Sequence, residues 1–304
     1  MSEPEAGIGA EPSWDICMPM RQTSPAIFSS PHSGRVYPPD FVATSRLDET
    51  TLRRSEDAFV DEIFAAAPDF GAPMIRALFP RAYVDPNRAA YELDQAMFDA
   101  PLPDHVRTHS PKITAGLGTI PKIVASGEAI YDTKLSFAEA ERRIDTHYRP
   151  YHSALAALIA ETRARFGVAL LIDCHSMPST GPLLAPRLSL KNIDMVLGDG
   201  HGKTCAALIT DTVEQTLAEF GYRVTRNRPY SGGYITRHYG HPEERVHALQ
   251  IELSRALYMD ERRIRRGPGM AELCHHMGHL MKLITGIKPA ALKANDGWLA
   301  KAAE

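Results

Sequence analysis

The sequence predicts an α/β protein whose central sheet is covered by helices on both faces. Segments that favour strands alternate with segments that favour helices along most of the chain, which is typical of such a sheet. Three strand segments also share one design, an apolar run that leads to His32, His175 or Glu252; they are Ala26–Gly34, Val168–Ser176 and Val246–Ser254. Because ligand sites in open α/β sheets collect at strand ends, we expect these three side chains to meet.

The composition is that of an ordinary globular protein. Its 304 residues are 44% hydrophobic and 23% charged, and no apolar stretch approaches the ~20 residues that a membrane helix requires. A net charge of −3 offers no electrostatic footprint for nucleic acid. Four cysteines without any CxxC motif fit reduced thiols better than a disulfide framework. We therefore expect a soluble, cytoplasmic protein that binds neither nucleic acid nor membranes.

The chain is expected to form one domain. Its first residues (MSEPEAGIGAEPSW) are acidic and rich in Pro and Gly, and they lack the basic start and apolar core of a secretory signal. We predict a disordered leader over residues 1–20 and a single domain over residues 21–304.

Patterning predicts the elements of the first half of the chain. Apolar residues at helical spacing predict a helix over Leu47–Ala67, which Pro68 ends. Pro73–Phe79 and Ala82–Asp85 are short runs of strand-like composition. The stretch from Tyr91 to Ile130 contains many Pro and Gly residues without a clean period, which predicts long loops that cover the site.

Three helices are predicted in the second half. Ser136–Phe166 opens with a capping box, and Pro150 predicts a kink or break near Arg149. Gly202–Phe220 is predicted to be an amphipathic helix, which Gly221 terminates before a strand at Tyr222–Thr225. Met270–Ile284 is predicted to form a closing helix.

The two histidines at strand ends favour a metal site. A histidine of this kind taken alone is better explained as a simple turn cap, but two of them together favour a shared ion. Catalytic zinc takes three nitrogen or oxygen ligands and keeps a position for water, so a carboxylate is needed beside His32 and His175. Asp57 and Glu56 are the candidates, and the alternative is that they belong to an ordinary exposed helix face. The pattern predicts a metal-dependent hydrolase.

Glu252 follows a run too apolar for an unpaired carboxylate. A buried charge there is costly, so the group must face a cation or be protonated. A raised pKa in such a setting suits a general acid and base. The alternative is an ion pair with a buried arginine, either Arg255 or Arg237.

Two further segments carry residues that recognise carboxylates. The DPNR run at Asp85–Arg88, with Arg81 before it, places two guanidinium groups and the amide of Asn87 close together. Guanidinium groups bind carboxylates bidentately, although a surface ion pair is the alternative for either arginine.

The Tyr230–Gly240 loop (YSGGYITRHYG) supplies a Gly-Gly pair and then the donors Tyr234, Thr236 and Arg237. This density of polar side chains predicts a wall of the substrate site, the alternative being a plain turn.

Seven ordered sequence blocks resemble the N-formylglutamate amidohydrolase (N-formylglutamate deformylase) family. The blocks are PHSGRVYP, EDAFVDEIF, YVDPNR, YRPYHSAL, DCHSMPS, RPYSGGYITRHYG and ALQIELSRALYMDE. The resemblance implies hydrolysis of N-formyl-L-glutamate to formate and L-glutamate in histidine degradation. Its distant similarity to zinc carboxypeptidases and succinylglutamate desuccinylases implies a three-layer α/β/α fold of the phosphorylase/hydrolase type, with a mixed, mostly parallel central sheet.

The resemblance also implies residue roles. His32 and His175 match the metal-binding histidines, Asp57 falls in the acidic block, and the metal is expected to be Zn²⁺ or another divalent ion. Glu252 matches the general base. The carboxypeptidase relatives take their second ligand three residues after the first histidine, where this chain has Arg35.

The expected substrate is a small dicarboxylic N-acyl amino acid. Arg88 with Asn87 resembles a carboxylate clamp, and Arg81 would polarise the scissile carbonyl. Arg88 and Arg237 would hold the α- and side-chain carboxylates of the substrate.

Three other functions are compatible with the same residues. One is a deacylase or carboxypeptidase-like hydrolase of another N-acyl amino acid, which would use the same metal and base. A serine hydrolase built on Ser176 and His175 is disfavoured because adjacent strand residues point to opposite faces. A non-catalytic carboxylate-binding module would keep Arg88 and Arg237 without any dependence on metal.

Overall fold

The computed structural model describes residues 12–180, 190 and 192–293. Within this part of the chain the strands are β1 (Trp14–Cys17), β2 (Ala26–Ser30), β3 (Met74–Ala77), β4 (Ala169–Met177), β5 (Met195–Gly198), β6 (Val224–Arg226), β7 (Val246–Ser254), β8 (Met259–Asp260) and β9 (Arg265–Arg266). The α-helices are α1 (Pro39–Thr44), α2 (Glu49–Arg53), α3 (Val60–Ile63), α4 (Pro111–Thr114), α5 (Phe137–Arg143), α6 (Arg149–Phe166), α7 (Ala207–Glu219), α8 (Tyr234–Tyr239), α9 (Met270–Thr285) and α10 (Pro289–Lys293). Short 3₁₀ turns lie at Ala67–Phe70, Gln95–Met97, Pro242–Glu244 and Arg255–Leu257.

Seven of these strands form one mixed sheet in the order β1-β3-β2-β4-β7-β5-β6. Four of its pairings are parallel, and the pairings of β1 with β3 and of β5 with β7 are antiparallel. The predicted α/β class with a mixed, mostly parallel sheet is confirmed.

The sheet is buried on both faces, which makes the architecture three-layered. Along β4, Leu170 and Ile172 pack into a core with Met277 of α9, whereas Leu171 packs into a second core with Tyr151 and Leu155 of α6. Because side chains alternate along a strand, Asp173 and His175 of β4 point to the same face as Leu171. The predicted strand therefore delivers its polar side chains to the α6 side.

The predicted helix over Leu47–Ala67 is wrong in its centre. The structure has α2 and α3 instead, with residues 54–59 between them. Phe59 adopts a left-handed φ of 68°, and the Asp57 amide donates to the His32 carbonyl oxygen at 2.9 Å. These tertiary contacts override the helical periodicity.

Other elements match their predictions more closely. Ser136 caps α5 through its side chain, and a single π-helical turn at Ile144–Tyr148 joins α5 to α6 just before Pro150. Gly221 has a φ of 88° after α7, which begins at Ala207 rather than at the predicted Gly202. The closing helix is confirmed as α9.

Three boundaries need correction. The predicted leader over residues 1–20 contains β1, an edge strand whose residues pair with β3, while residues 1–11 lie outside the described part. Ala82–Asp85 forms turns rather than a strand, and the predicted Tyr230–Gly240 loop contains α8. No helix of the described residues is long and apolar enough to cross a membrane.

The turn that follows β2 is held by a close approach of two backbones. A Cβ on Gly34 would lie 2.0 Å from the Phe79 carbonyl oxygen and 2.6 Å from the Leu78 carbonyl carbon. The Val36 amide donates to the Leu78 carbonyl oxygen at 2.9 Å. Glycine at position 34 therefore fixes the path of the chain beside His32.

We predict that Gly34→Ala lowers the free energy of unfolding by about 1–3 kcal/mol, because the new methyl group meets backbone atoms that cannot move independently. Gly278→Ala is the matched control, since nothing lies within 4 Å of a Cβ at that position of α9 and alanine favours helices. Urea unfolding followed by circular dichroism measures both. Equal stability of Gly34→Ala and the unchanged protein would contradict the prediction.

Candidate active site

The candidate site lies where β2, β4 and β7 end, under the loops that precede α5. A cavity of about 770 Å³ opens there and is lined by residues of all three strand ends. His32, His175 and Glu252 all line it, as the sequence predicts. The segment 107–125, part of the predicted covering loops, supplies another wall.

His32, Asp57 and His175 form a buried cluster at the base of this cavity. Asp57 Oδ2 lies 2.9 Å from His175 Nδ1 and 3.3 Å from His32 Nδ1. One ligand atom from each of the three residues falls within 4.8 Å of the others, and the two imidazole centroids are 4.8 Å apart. The two histidines predicted to converge therefore do so on one carboxylate oxygen.

The break between α2 and α3 positions Asp57. Ser33 Oγ donates to the Asp57 carbonyl oxygen at 3.0 Å and accepts from the Asp61 amide at 3.1 Å. Glu56 turns the other way, where its side chain accepts from Arg53 and Tyr37. Of the two candidate carboxylates, only Asp57 faces the imidazoles.

Each imidazole has a second carboxylate at its other ring nitrogen. Asp85 Oδ1 lies 2.8 Å from His32 Nε2, and Asp173 Oδ1 lies 3.1 Å from His175 Nε2. An ionised carboxylate only accepts, so His32 Nε2–H donates to Asp85, and Nδ1, which faces Asp57, would act as a lone-pair ligand once a metal ion replaced its proton. Carboxylates behind histidines are usual around protein-bound metals. This donor set of two nitrogens and one oxygen fits Zn²⁺ or a similar divalent ion.

Arginines neutralise the remaining charge of the cluster. Arg255 Nη2 donates to Asp57 Oδ1 at 3.1 Å, and Arg81 Nη2 donates to Asp85 Oδ2 at 2.8 Å. Burial opposes ionisation, but hydrogen bonds with His175 and His32 hold the pKa of Asp57 well below its ordinary value. Burial lowers the pKa of His175, but Asp173 and Asp57 outweigh it and raise that pKa well above its usual range.

Glu252 stands beside His175 on the neighbouring strand. The register of β4 and β7 pairs His175 with Glu252 and Asp173 with Gln250. Gln250 Nε2 donates to Glu252 Oε1 at 2.7 Å. Burial raises the pKa of Glu252 to about 7; the charge of His175 lowers it and that of Asp57 raises it. The alternative that Arg255 or Arg237 forms an ion pair with Glu252 is wrong: among the described residues neither does, and Arg255 binds Asp57 instead.

The predicted substrate wall is a short helix set against the DPNR turn. Asn87 Oδ1 accepts from the Ile235 amide at 2.8 Å, and a Cβ on Gly233 would lie 2.2 Å from Asn87 Nδ2. Tyr234 and Arg237 line the cavity. Thr236, predicted beside them, does not; it is buried, with Oγ1 3.1 Å from Asp173 Oδ2, because α8 turns it towards the sheet.

Arg81 and Arg88 both line the cavity, as does Asn87, whose Nδ2 lies 3.2 Å from His175 Nε2. Arg88 Nε donates to the Leu117 carbonyl oxygen at 2.7 Å, and its Nη2 lies 3.6 Å from Asp85 Oδ2.

Sequence reasoning assigned no role to Asp85, Asp173 or Gln250. Asp173 and Gln250 each stand two residues before a predicted site residue on the same strand, so the alternation of strand faces could have identified them. Asp85 was visible in the DPNR run, but its contact with His32 spans 53 positions and has no local signal.

A family model described as N-formylglutamate amidohydrolase matches residues 24–259 of this chain. The chain is 31% identical over 240 residues to the N-formylglutamate deformylase of Pseudomonas putida, covering 78% of this chain and 82% of the relative. It is 33% identical over 241 residues to the N-formylglutamate deformylase of Pseudomonas aeruginosa, covering 78% and 83%.

Solved structures agree with these relatives. The crystal structure of N-formylglutamate amidohydrolase from Ralstonia eutropha JMP134 superposes with a TM-score of 0.83 at 38% identity, covering 90% of this chain and 97% of the other. A gene product of Agrobacterium tumefaciens superposes with a TM-score of 0.65 at 16% identity, covering 90% and 95%, which supports the fold alone.

The raised pKa of Glu252 predicts a pH-dependent effect of Glu252→Gln on metal-free protein. A raised pKa in the folded protein means that folding favours the protonated form of the Glu252 carboxyl group. The contribution of Glu252 to stability is therefore present at low pH and is lost as the pH rises through about 7. The variant should therefore gain in melting temperature relative to the unchanged protein between pH 5 and pH 8. Thermal unfolding in chelator measures the difference, with the exposed Glu161→Gln as control. A difference in melting temperature between Glu252→Gln and the unchanged protein that does not grow with pH would contradict the raised pKa of Glu252.

Proposed function

The chain belongs to the N-formylglutamate amidohydrolase family, and from that membership we propose that it hydrolyses N-formyl-L-glutamate to formate and L-glutamate with a divalent metal ion. The observation that carries the proposal is the single oxygen of Asp57 that both histidine Nδ1 atoms face, with Glu252 beside them. Similarity to two deformylases and to an amidohydrolase of known structure supports the reaction.

We assign the metal to His32, Asp57 and His175, and Zn²⁺ is the ion that suits these donors best. Such an ion supplies Lewis acidity, which polarises a carbonyl oxygen and makes a bound water more acidic. Arg255 holds the second oxygen of Asp57, so Oδ2 remains directed towards the imidazoles.

Glu252 is the proposed general base and acid. With a pKa of about 7 it can take a proton from the attacking water and return it to the leaving nitrogen as the C–N bond breaks. Gln250 holds Glu252 Oε1, which leaves Oε2 for this proton transfer.

Arginines are proposed to orient the substrate and stabilise the developing charge. Arg81 lies 3.7 Å from Asp57 Oδ1 and lines the cavity, a position that suits it to the oxygen of the scissile carbonyl. Arg88, beside Asn87, is assigned to the α-carboxylate of the substrate, and Arg237, which lines the same cavity, is assigned to the side-chain carboxylate.

We also propose that one domain carries the whole reaction and that it works in the cytoplasm. The strands β2, β4 and β7, which carry the site residues, all belong to one seven-stranded sheet. The four cysteines are free, which suits a reducing compartment.

Formate release from N-formyl-L-glutamate tests the function directly. We expect release by the purified protein, its loss after chelation, and its return with added Zn²⁺, because the site residues alone lack a Lewis acid. N-acetyl-L-glutamate and N-formyl-L-norvaline serve as comparison substrates. Release that survives complete removal of metal would exclude the metal-dependent mechanism, and preference for the acetyl compound would indicate a deacylase.

Glu252→Gln should reduce kcat by about 10²–10⁴-fold while leaving the metal content unchanged, because it removes proton transfer without removing a proposed ligand. Glu161→Gln, an exposed change on α6, should leave kcat unaltered. Steady-state kinetics and elemental analysis on the same preparations give both quantities. Near-normal turnover by Glu252→Gln would show that another group acts as the base.

A further inference from the structure

The cavity carries more positive charge than the cluster at its base requires. Its cationic lining residues are Arg81, Arg88, Arg107, Lys112, Arg237 and Arg255. Among the described residues, carboxylates of the cavity pair with Arg81, Arg88 and Arg255, and none pairs with Arg107, Lys112 or Arg237. The arginines around the histidine cluster are therefore neutralised internally, whereas these three lining cations remain for a ligand.

The backbone of Lys112 is held in place by the loops around it. Ser110 caps α4 by accepting from the Ile113 amide at 3.1 Å, and its hydroxyl also donates to buried Glu92. The Leu117 amide donates to the Lys112 carbonyl oxygen at 2.8 Å. The lysine thus extends from an anchored turn, and its side chain is half-buried.

A chain of contacts connects the proposed metal ligands to the segment that carries Lys112. His32 contacts Asp85, Asp85 faces Arg88, and Arg88 Nε donates to the Leu117 carbonyl oxygen at 2.7 Å. Leu117 in turn binds the backbone of Lys112. Lys112 and Arg88 therefore line the same cavity on segments joined through Leu117, which places a second cation near the arginine assigned to a substrate carboxylate.

We propose that Lys112 binds the side-chain carboxylate of the substrate and thereby selects N-formyl amino acids with an acidic side chain. This assignment rests on the proposed function, and it adds Lys112, which sequence reasoning did not identify, to Arg237 as a second cation for that carboxylate. A lysine ammonium is a compact point charge with three donors, suited to a carboxylate whose position depends on a flexible methylene chain.

The electrostatics of the site support this assignment. Burial and the nearby charges of Arg88 and Arg81 lower the pKa of Lys112 to about 8. A bound carboxylate would offset this repulsion and hold the lysine in its charged form.

Lys112→Met tests the proposal, with N-formyl-L-glutamate compared against its uncharged isostere N-formyl-L-glutamine. We expect KM for the glutamate substrate to rise about ten- to a hundredfold with little change in kcat, because a charge-assisted contact is lost. KM for the glutamine substrate should stay within about twofold, and Lys112→Arg should restore most of the preference. Lys122→Met is the matched control, since Lys122 pairs with Asp94 outside the cavity lining.

A binding measurement separates this proposal from the proposed function. Isothermal titration of L-glutamate and L-glutamine into the zinc-loaded protein should show a preference for glutamate that Lys112→Met removes. Formate release together with an unchanged substrate preference in Lys112→Met would overturn the role of Lys112 and leave the reaction intact. Loss of the binding preference in a protein that releases no formate would keep the carboxylate subsite and reject the reaction. Absence of both activity and preference would reject both proposals.

Discussion

One carboxylate oxygen ties the site together. Asp57 Oδ2 is shared by His32 Nδ1 and His175 Nδ1 in a fully buried setting, although these residues come from three distant segments. A buried charge needs compensation on every side, so the end of β2, the end of β4 and the turn before α3 must fold against one another. The irregular backbone around Phe59 follows from this requirement, because a continuous helix could not donate the Asp57 amide to the His32 carbonyl oxygen.

Charge compensation also separates the roles of the acidic groups. Asp57 and Asp85 are ionised, because Arg255, Arg81 and the imidazoles surround them. Glu252 has an amide donor and no arginine within hydrogen-bond distance among its described contacts, so burial dominates and its pKa rises to about 7. Carboxylates that line the same cavity are thus suited to different tasks, ligation in one case and proton transfer in the other.

The sequence predicted what local composition controls. The three apolar runs were confirmed as β2, β4 and β7, and the polar residues at their ends do line one cavity, because strand formation and the clustering of strand ends need little long-range information. The helix over Leu47–Ala67 was wrong because its break depends on hydrogen bonds to Ser33 and His32. Lys112 was missed for a similar reason, since only the fold of the covering loops brings it to the cavity.

Anomalous diffraction at the zinc absorption edge, from crystals of protein purified without chelator, shows whether one ion binds all three proposed ligands. We expect one strong peak in contact with His32 Nδ1, Asp57 Oδ2 and His175 Nδ1. Data collected on both sides of the edge identify the element. A zinc peak at other side chains would contradict the site in which both histidines and Asp57 bind one ion. So would crystals of active protein in which these three atoms surround only an ordered water.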